Sequence, residues 1–345
     1  MAEKTNGAEA RFLIIRFSSF GDVTQSLSIP SAIQKAYPNA KIEWITRKDM
    51  APLLKHHPAI DRIWEYDRKS GLKGLWSLLS LMGQNHYTHI YDAHNNLRSR
   101  FVYWRLGLFR STLFIRRSQK RWKRFLLFRL HKNTYEIPFS GQRDLLEPLT
   151  PWNISKALPQ TPQIFIDEAD LSKADTLLGT WKEKKYVALA PSAAYFLKRW
   201  PVSHFKQLIQ LMPDVNFLLL GGPEDRFIEE IEKIAPDRIL NTAGKAPLTV
   251  SAALVKKAQV LVSNDTGLLH VGEQLGKPTI ALMGPAPFGF PSRTSTKIME
   301  LNLSCRPCSK HGQGPCVNKV YHQCLVDITP EQVAAEVRAK LGSLL

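Results

Sequence analysis

The chain lacks any run of about 18 apolar residues, so no segment reads as a membrane-spanning helix. Its first ten residues, MAEKTNGAEA, are polar and do not resemble the apolar heart of a secretion signal, which makes a cytoplasmic location the expectation. Cysteine is scarce, four in 345 residues, and this excludes a disulfide-stapled secreted scaffold. A content of 44% hydrophobic and 22% charged residues excludes the disordered and collagen-like classes. The sharpest absence is local. Between Arg98 and Lys132 there is no Asp or Glu, while 12 Lys and Arg occur.

That segment dominates the charge of the chain. Residues 1–150 hold 25 Lys and Arg against 12 Asp and Glu, a net of +13, and the remainder contributes only +4. Phe101, Tyr103, Trp104, Trp122, Phe125 and Phe128 are interleaved with the basic residues. Such a mixture suits an anionic membrane surface or a phosphorylated lipid. Nucleic acid would use the same charges, but the excess is confined to one segment and neither a recognition helix nor an RNA-binding aromatic signature accompanies it. A solvated helix face over a core is the plain alternative.

Short strand-like runs alternate with helical stretches along the whole length. The expected strands are 12–17, 41–46, 62–67, 89–93 and 111–115, then 186–191, 216–222, 238–241, 260–263 and 279–284. This alternation predicts α/β architecture with parallel sheets covered on both faces. Pro148, Pro151, Pro159 and Pro162 mark a connection, giving an N-terminal domain over 1–162 and a C-terminal domain over 163–345. Two doubly wound domains would face one another across a central cleft. A final helix, about 329–345, starts at a capping Thr329 with Pro330 in its first turn, and is expected to pack back on the N-terminal domain.

Two strand-to-helix turns carry the chemistry. In VLVSNDTGLLHVGEQLGKPTIALMGP, Val260 to Pro285, a buried strand runs into Asn264, Asp265, Thr266 and Gly267, and a helix over 268–275 stops at Gly276. A helix start beyond a parallel strand presents unpaired N–H groups that suit a phosphate; simple capping by Asp265 or Thr266 is the structural alternative. The first strand ends in Ser18, Ser19, Phe20, Gly21 and Asp22, ahead of a helix over 23–37. Asp22 is either a capping residue or a general base for an incoming hydroxyl. The cysteines stand as Cys305, Cys308, Cys316 and Cys324; they admit a structural zinc, but a compact loop of free thiols is the preferred reading.

Taken together, IIRFSSFGDV (14–23), KRWP (198–201), SNDTGLLHV (263–271), LGKPTIALMGP (275–285) and YHQCLVDITPEQV near the end resemble the bacterial heptosyltransferases of lipopolysaccharide synthesis, glycosyltransferase family nine, nearest to the second heptosyltransferase. The resemblance implies the GT-B fold of two Rossmann-like domains. It implies transfer of a heptose from an ADP-activated donor to the phosphorylated lipid A core, with inversion and without a catalytic metal or cofactor, at the inner face of the cytoplasmic membrane. Asp22 matches the family's base and Lys198 its pyrophosphate lysine, with Arg199 assisting. Ser192, Ala193, Asp225, Asp265, Thr266, Gly267 and Leu268 match donor contacts. His270 either touches the donor or fixes its loop from within. Ser19, Gly21, Asn95, Asn96, Arg98, Arg116, Arg117, Arg121 and Arg124 are the expected acceptor contacts. A nucleotide-sugar epimerase on a similar scaffold is the alternative enzyme, and a basic nucleic-acid-binding protein the alternative from another class.

Overall fold

The computed structural model describes residues 9–108 and 110–343. Most of the polar opening segment and the last two residues of the expected final helix lie outside that range. The described chain divides into two compact units. The first runs to Arg121 and resumes from Gln142 to Phe165; the second takes Trp122–Gly141 and everything from Ile166 onward. The proline-rich passage therefore lies near the last crossing, three residues before it, while the excursion of 122–141 into the second unit has no counterpart in the sequence reading.

The first unit contains strands β1 (Arg11–Ile15), β2 (Lys41–Arg47), β3 (Arg62–Tyr66), β4 (His89–Asp92) and β5 (Leu113–Arg116), in the order β3-β2-β1-β4-β5. The second contains β6 (Val187–Ala190), β7 (Phe217–Leu219), β8 (Ile239–Asn241), β9 (Val260–Asn264), β10 (Thr279–Leu282) and β11 (Thr296–Met299), in the order β11-β10-β9-β6-β7-β8. All neighbouring strands are parallel. Both orders are Rossmann-like, and each reverses direction beside its first strand, where ligands bind beyond the carboxyl ends. In the first unit Ile15 pairs with Asp92 at this point, and in the second Ala190 pairs with Ser263. The loops after β1, β4, β6 and β9 are thereby the ones that can form sites.

The central strands are apolar on both faces because helices cover both, and β6, β9 and β10 are buried throughout. Two expectations need correction. The helix expected over 23–37 is two helices, Phe20–Ser26 and Ser28–Ala36, because Pro30 lacks an N–H and its ring conflicts with the carbonyl four residues back, at Ser26. The edge strand β11 was not expected; its residues are only half-buried and carry no alternating or continuous apolar signal. The final helix spans Pro330–Gly342. Val333, Ala334 and Val337 join the core around Trp200 and Leu208, against helix Val202–Leu211 and strands β9 and β10.

Candidate functional site

In the first unit, the turn after β1 holds Asp22 at the third position of helix Phe20–Ser26, not at its cap. The backbone N–H of Ser19 donates to Asp22 Oδ2 over 3.3 Å and its hydroxyl over 2.7 Å. The guanidinium of Arg16 lies 2.8 Å from Asp22 Oδ1. Arg16 is itself buried and donates to the carbonyl of Ala93 over 2.5 Å, so the two loops at the switch point share one cation. Burial pushes the Asp22 carboxyl up, but Arg16 and the two Ser19 hydrogen bonds together carry it down to about 2. The carboxylate is 44% exposed all the same. It is thus ionised, oriented and open. Ser19 aligns Asp22, and Gly21 is an inner residue of the first helical turn.

The turn after β4 is organised by a residue the sequence reading passed over. Asp92 is fully buried and accepts from the N–H groups of His94 (3.1 Å) and Asn95 (2.7 Å), from Ser99 Oγ (2.9 Å) and from Arg116 Nε (3.0 Å). Asn95 takes a left-handed φ of 56° and spends its amide on the carbonyl of Arg117. Asn96 caps helix Leu97–Leu106, accepting from Ser99 N–H over 2.9 Å. Arg117 pairs with the buried Asp144 over 2.5 Å. Asn95, Asn96, Arg116 and Arg117 therefore help to hold the loop in shape. Arg98 lies over the rings of Phe17 and Tyr66 without a carboxylate partner among the described residues. His94 was not foreseen: burial, then the nearby Arg16, lower its pKa to about 4, so the ring is neutral at pH 7.

Arg121 and Arg124 belong to the helix Arg121–Leu130, which exposes Trp122 and Phe125 as a stacked pair with centroids 5.4 Å apart. Arg124 lies in the second unit, over the ring of Phe288 at 4.8 Å. Phe288 also meets Phe128, Tyr135 and Phe139 edge-on. A cavity of about 460 Å³ opens beside these rings at the carboxyl end of β10.

In the second unit, Asn264 ends β9 and ties two loops together: its Oδ1 accepts from the N–H of Trp200 (3.0 Å) and its amide donates to the carbonyl of Pro191 (2.7 Å). Trp200 is buried, bonded to the carbonyl of Ile328 and set edge-on to Phe205. Truncating such a residue costs about 3–5 kcal/mol, which makes it the anchor from which Lys198 is hung. The Lys198 ammonium lies 2.6 Å from Asp265 Oδ2, with 17% of the lysine side chain and 5% of the aspartate exposed. Behind Asp265, the backbone of Gly289 comes so near that any side chain there would collide with the carboxylate.

Helix Gly267–Leu275 begins immediately beyond this pair, and Gly276 ends it with a φ of 72°. Thr266 stands at the cap in extended conformation, but its hydroxyl makes no capping bond. The hydroxyl and the first amides of the helix are therefore available together, at a partly exposed position. Arg199 donates to the carbonyl of Ala193 over 2.8 Å and reaches within 3.7 Å of Asp225. Asp225 accepts from the N–H of Gly222 over 2.8 Å. Together they brace the loop that carries Ser192 and Ala193. His270 is engaged from within the fold. The ring is buried against Glu273, Nδ1 to Oε2 3.0 Å, and Glu273 in turn accepts from the backbone of Ser292 and Arg293.

Among the described residues no three His, Cys, Asp or Glu side chains are gathered as a ready metal site. Nor is any described helix long and apolar enough to cross a membrane.

The family model of glycosyltransferase family 9 (heptosyltransferase) matches residues 75–322. Lipooligosaccharide heptosyltransferase 2 of Haemophilus influenzae is 27% identical over 351 residues, covering 96% of this chain and 99% of the relative. Lipopolysaccharide heptosyltransferase 2 of Escherichia coli is 25% identical, covering 96% and 98%. Among solved structures, a family 9 glycosyl transferase from Veillonella parvula superposes with a TM-score of 0.77 at 20% identity, over 97% of this chain and 98% of that one. The E. coli ADP-heptose lps heptosyltransferase II superposes with a TM-score of 0.70 at 22% identity, over 96% and 99%. The architecture is that of the GT-B enzymes, two doubly wound parallel sheets. The match spans well over half the residues: this chain belongs to glycosyltransferase family 9, the heptosyltransferases.

Proposed function

We propose that the protein transfers a heptose from an ADP-activated donor to the inner core of lipopolysaccharide, inverting the anomeric centre, with no metal ion in the chemistry. The observation that carries this reading is the pair of equipped turns: an ionised, exposed carboxylate after β1, and a lysine beside an unspent helix start after β9. The names of the near-full-length relatives supply the sugar and the acceptor class, and the second heptosyltransferase structure supplies the nucleotide.

In the proposed reaction an acceptor hydroxyl oxygen attacks the anomeric carbon from the face opposite the diphosphate. The carbon–oxygen bond to the phosphate breaks, and its electron pair leaves with ADP. Asp22 takes the hydroxyl proton. A carboxylate held near 2 is a weak base in the resting enzyme, so it accepts the proton late, once the attacking oxygen has bonded to carbon and become acidic. Lys198 and the amides at Thr266, Gly267 and Leu268 stabilise the charge that gathers on the leaving diphosphate. Arg199 and Asp225 shape the donor loop carrying Ser192 and Ala193. Arg98 and Arg121 are the basic side chains offered to acceptor phosphates, while exposed Trp122 and Phe125 favour peripheral attachment at an anionic membrane surface.

Incubation with a panel of nucleotide sugars and lipid A core acceptors, followed by mass spectrometry, tests the proposal. A gain of one heptose from ADP-heptose alone is the expected result. No transfer to any core acceptor, or equal use of other nucleotide sugars, would remove it.

A further inference from the structure

The connection from Glu300 to His322 runs for 23 residues without a helix or strand, an uncommon length for an irregular segment inside a compact unit. Every cysteine of the chain lies in it or just past it. Folding brings Cys305, Cys308, Cys316 and Cys324 around one cavity of about 10 Å³, shared with Arg306 and His322. That is room for about one water-sized sphere.

We propose that this cavity is a structural site for one thiophilic metal ion, zinc or iron, held by the sulfurs of Cys305, Cys308, Cys316 and Cys324. Four sulfur ligands with a C-x-x-C pair at the start are the donor set of closed tetrahedral sites. The backbone N–H of His322 donates to Cys316 Sγ over 3.2 Å, the type of outer hydrogen bond that steadies a metal-bound thiolate. The His322 ring is engaged elsewhere, Nε2 lying 3.0 Å from the carbonyl of Leu197, which leaves the sulfurs as the ligands. Binding a divalent ion as a tetrathiolate releases four thiol protons and leaves a site of charge −2. Arg306 lines the same cavity and its side chain is only 10% exposed, so a cation is already in place beside that charge. The sulfurs line the cavity, but among the described residues no three of them are gathered as a ready metal site; three sit on irregular backbone, and the proposal requires their side chains to turn inward on binding.

The site would serve Lys198. Gly312, at a φ of 80°, lies so close to the Lys198 side chain that a Cβ there would come within 2.6 Å of Lys198 Cγ. Gln313 donates to the Tyr195 hydroxyl over 2.8 Å, and His322 meets Leu197. A metal-pinned loop is thus the wall behind the lysine, an effect on donor binding that rests on the assignment of Lys198 above, whereas the metal site itself does not.

The test uses the full chain produced without a metal-binding tag. Elemental analysis after dialysis should give about one zinc or iron per chain, iron being told from zinc by visible sulfur-to-metal absorption. In the untouched protein the four thiols should resist a thiol reagent until a strong chelator removes one equivalent of metal. Cys308→Ser and Cys316→Ser should each lower metal affinity by at least roughly tenfold; the thiol titration needs no variant and stands even if these fail to fold. Freely reactive thiols with little bound metal, or an intact mass short by four hydrogens, as two disulfides would give, overturns the proposal. Bound metal whose removal leaves ADP affinity unchanged in a folded protein overturns the link to Lys198 alone.

Discussion

In the first unit the guanidinium of Arg16 is buried and its carboxylate partner Asp22 is 44% exposed; in the second, the Asp265 carboxylate is the buried member and Lys198 the more open one. Both pairs sit at the switch point of a parallel sheet, after the first strand in one unit and the fourth in the other. In each, a buried charge of one sign fixes an accessible charge of the other. The pairing offsets the cost of a lone buried ion, and the sign of the more open member decides what the turn can do: the half-exposed carboxylate can take up a proton, and the partly open ammonium can meet a phosphate. Under the proposed function, one structural device, inverted, would serve as a base in one unit and an anion contact in the other.

The comparison breaks most visibly at Asp22. Asp22→Asn should lower turnover by roughly two to four decades while leaving ADP-donor affinity nearly intact; steady-state kinetics beside calorimetric ADP binding would separate the two, and ordinary turnover would end the assignment. Next in size, Lys198→Ala should weaken ADP binding by roughly 10- to 100-fold, the worth of a lost charge-assisted contact. Unchanged affinity would make the lysine only a partner for Asp265. The smallest effect on rate is expected from Arg16→Gln. Asp22 owes its depressed pKa to Arg16 and Ser19, against burial. Without the guanidinium its carboxyl should titrate well above 2, readable by carbon-13 NMR. At pH 7 it stays ionised, so turnover should change by less than about tenfold. The sign for stability follows. A lowered folded-state pKa stabilises the protein above the unfolded carboxyl's value, and that contribution is lost as pH falls from about 4 toward 2. In the variant that contribution should be smaller, and its loss should be complete at a higher pH.

Much of this was legible beforehand, for identifiable reasons. The buried strands announce themselves as apolar runs, and Gly276, Thr329 and Pro330 punctuate their helices as their chemistry requires. The turns at Asp22 and Asp265 were found because they follow those strands. What escaped was pairing across long separations. The acid-free stretch from Arg98 to Lys132 looked like a free cationic surface, yet Arg116 and Arg117 turn inward to Asp92 and Asp144, carboxylates that lie outside it. Arg16 was a lone charge at the end of an apolar strand, a signal visible only in hindsight as the cation for Asp22. Asn264 and Glu273 escaped for the same reason, since their partners at Pro191, Trp200, Ser292 and Arg293 are set by the fold.

The excursion of residues 122–141 into the second unit has a practical corollary for anyone dissecting the enzyme. The aromatic surroundings of Phe288 come from Arg124, Phe128, Tyr135 and Phe139. A fragment started after the proline-rich passage would leave that ring bare. An isolated second unit has to be stitched from two separate pieces of chain, so fusion or permutation, rather than a single cut, is the route to it.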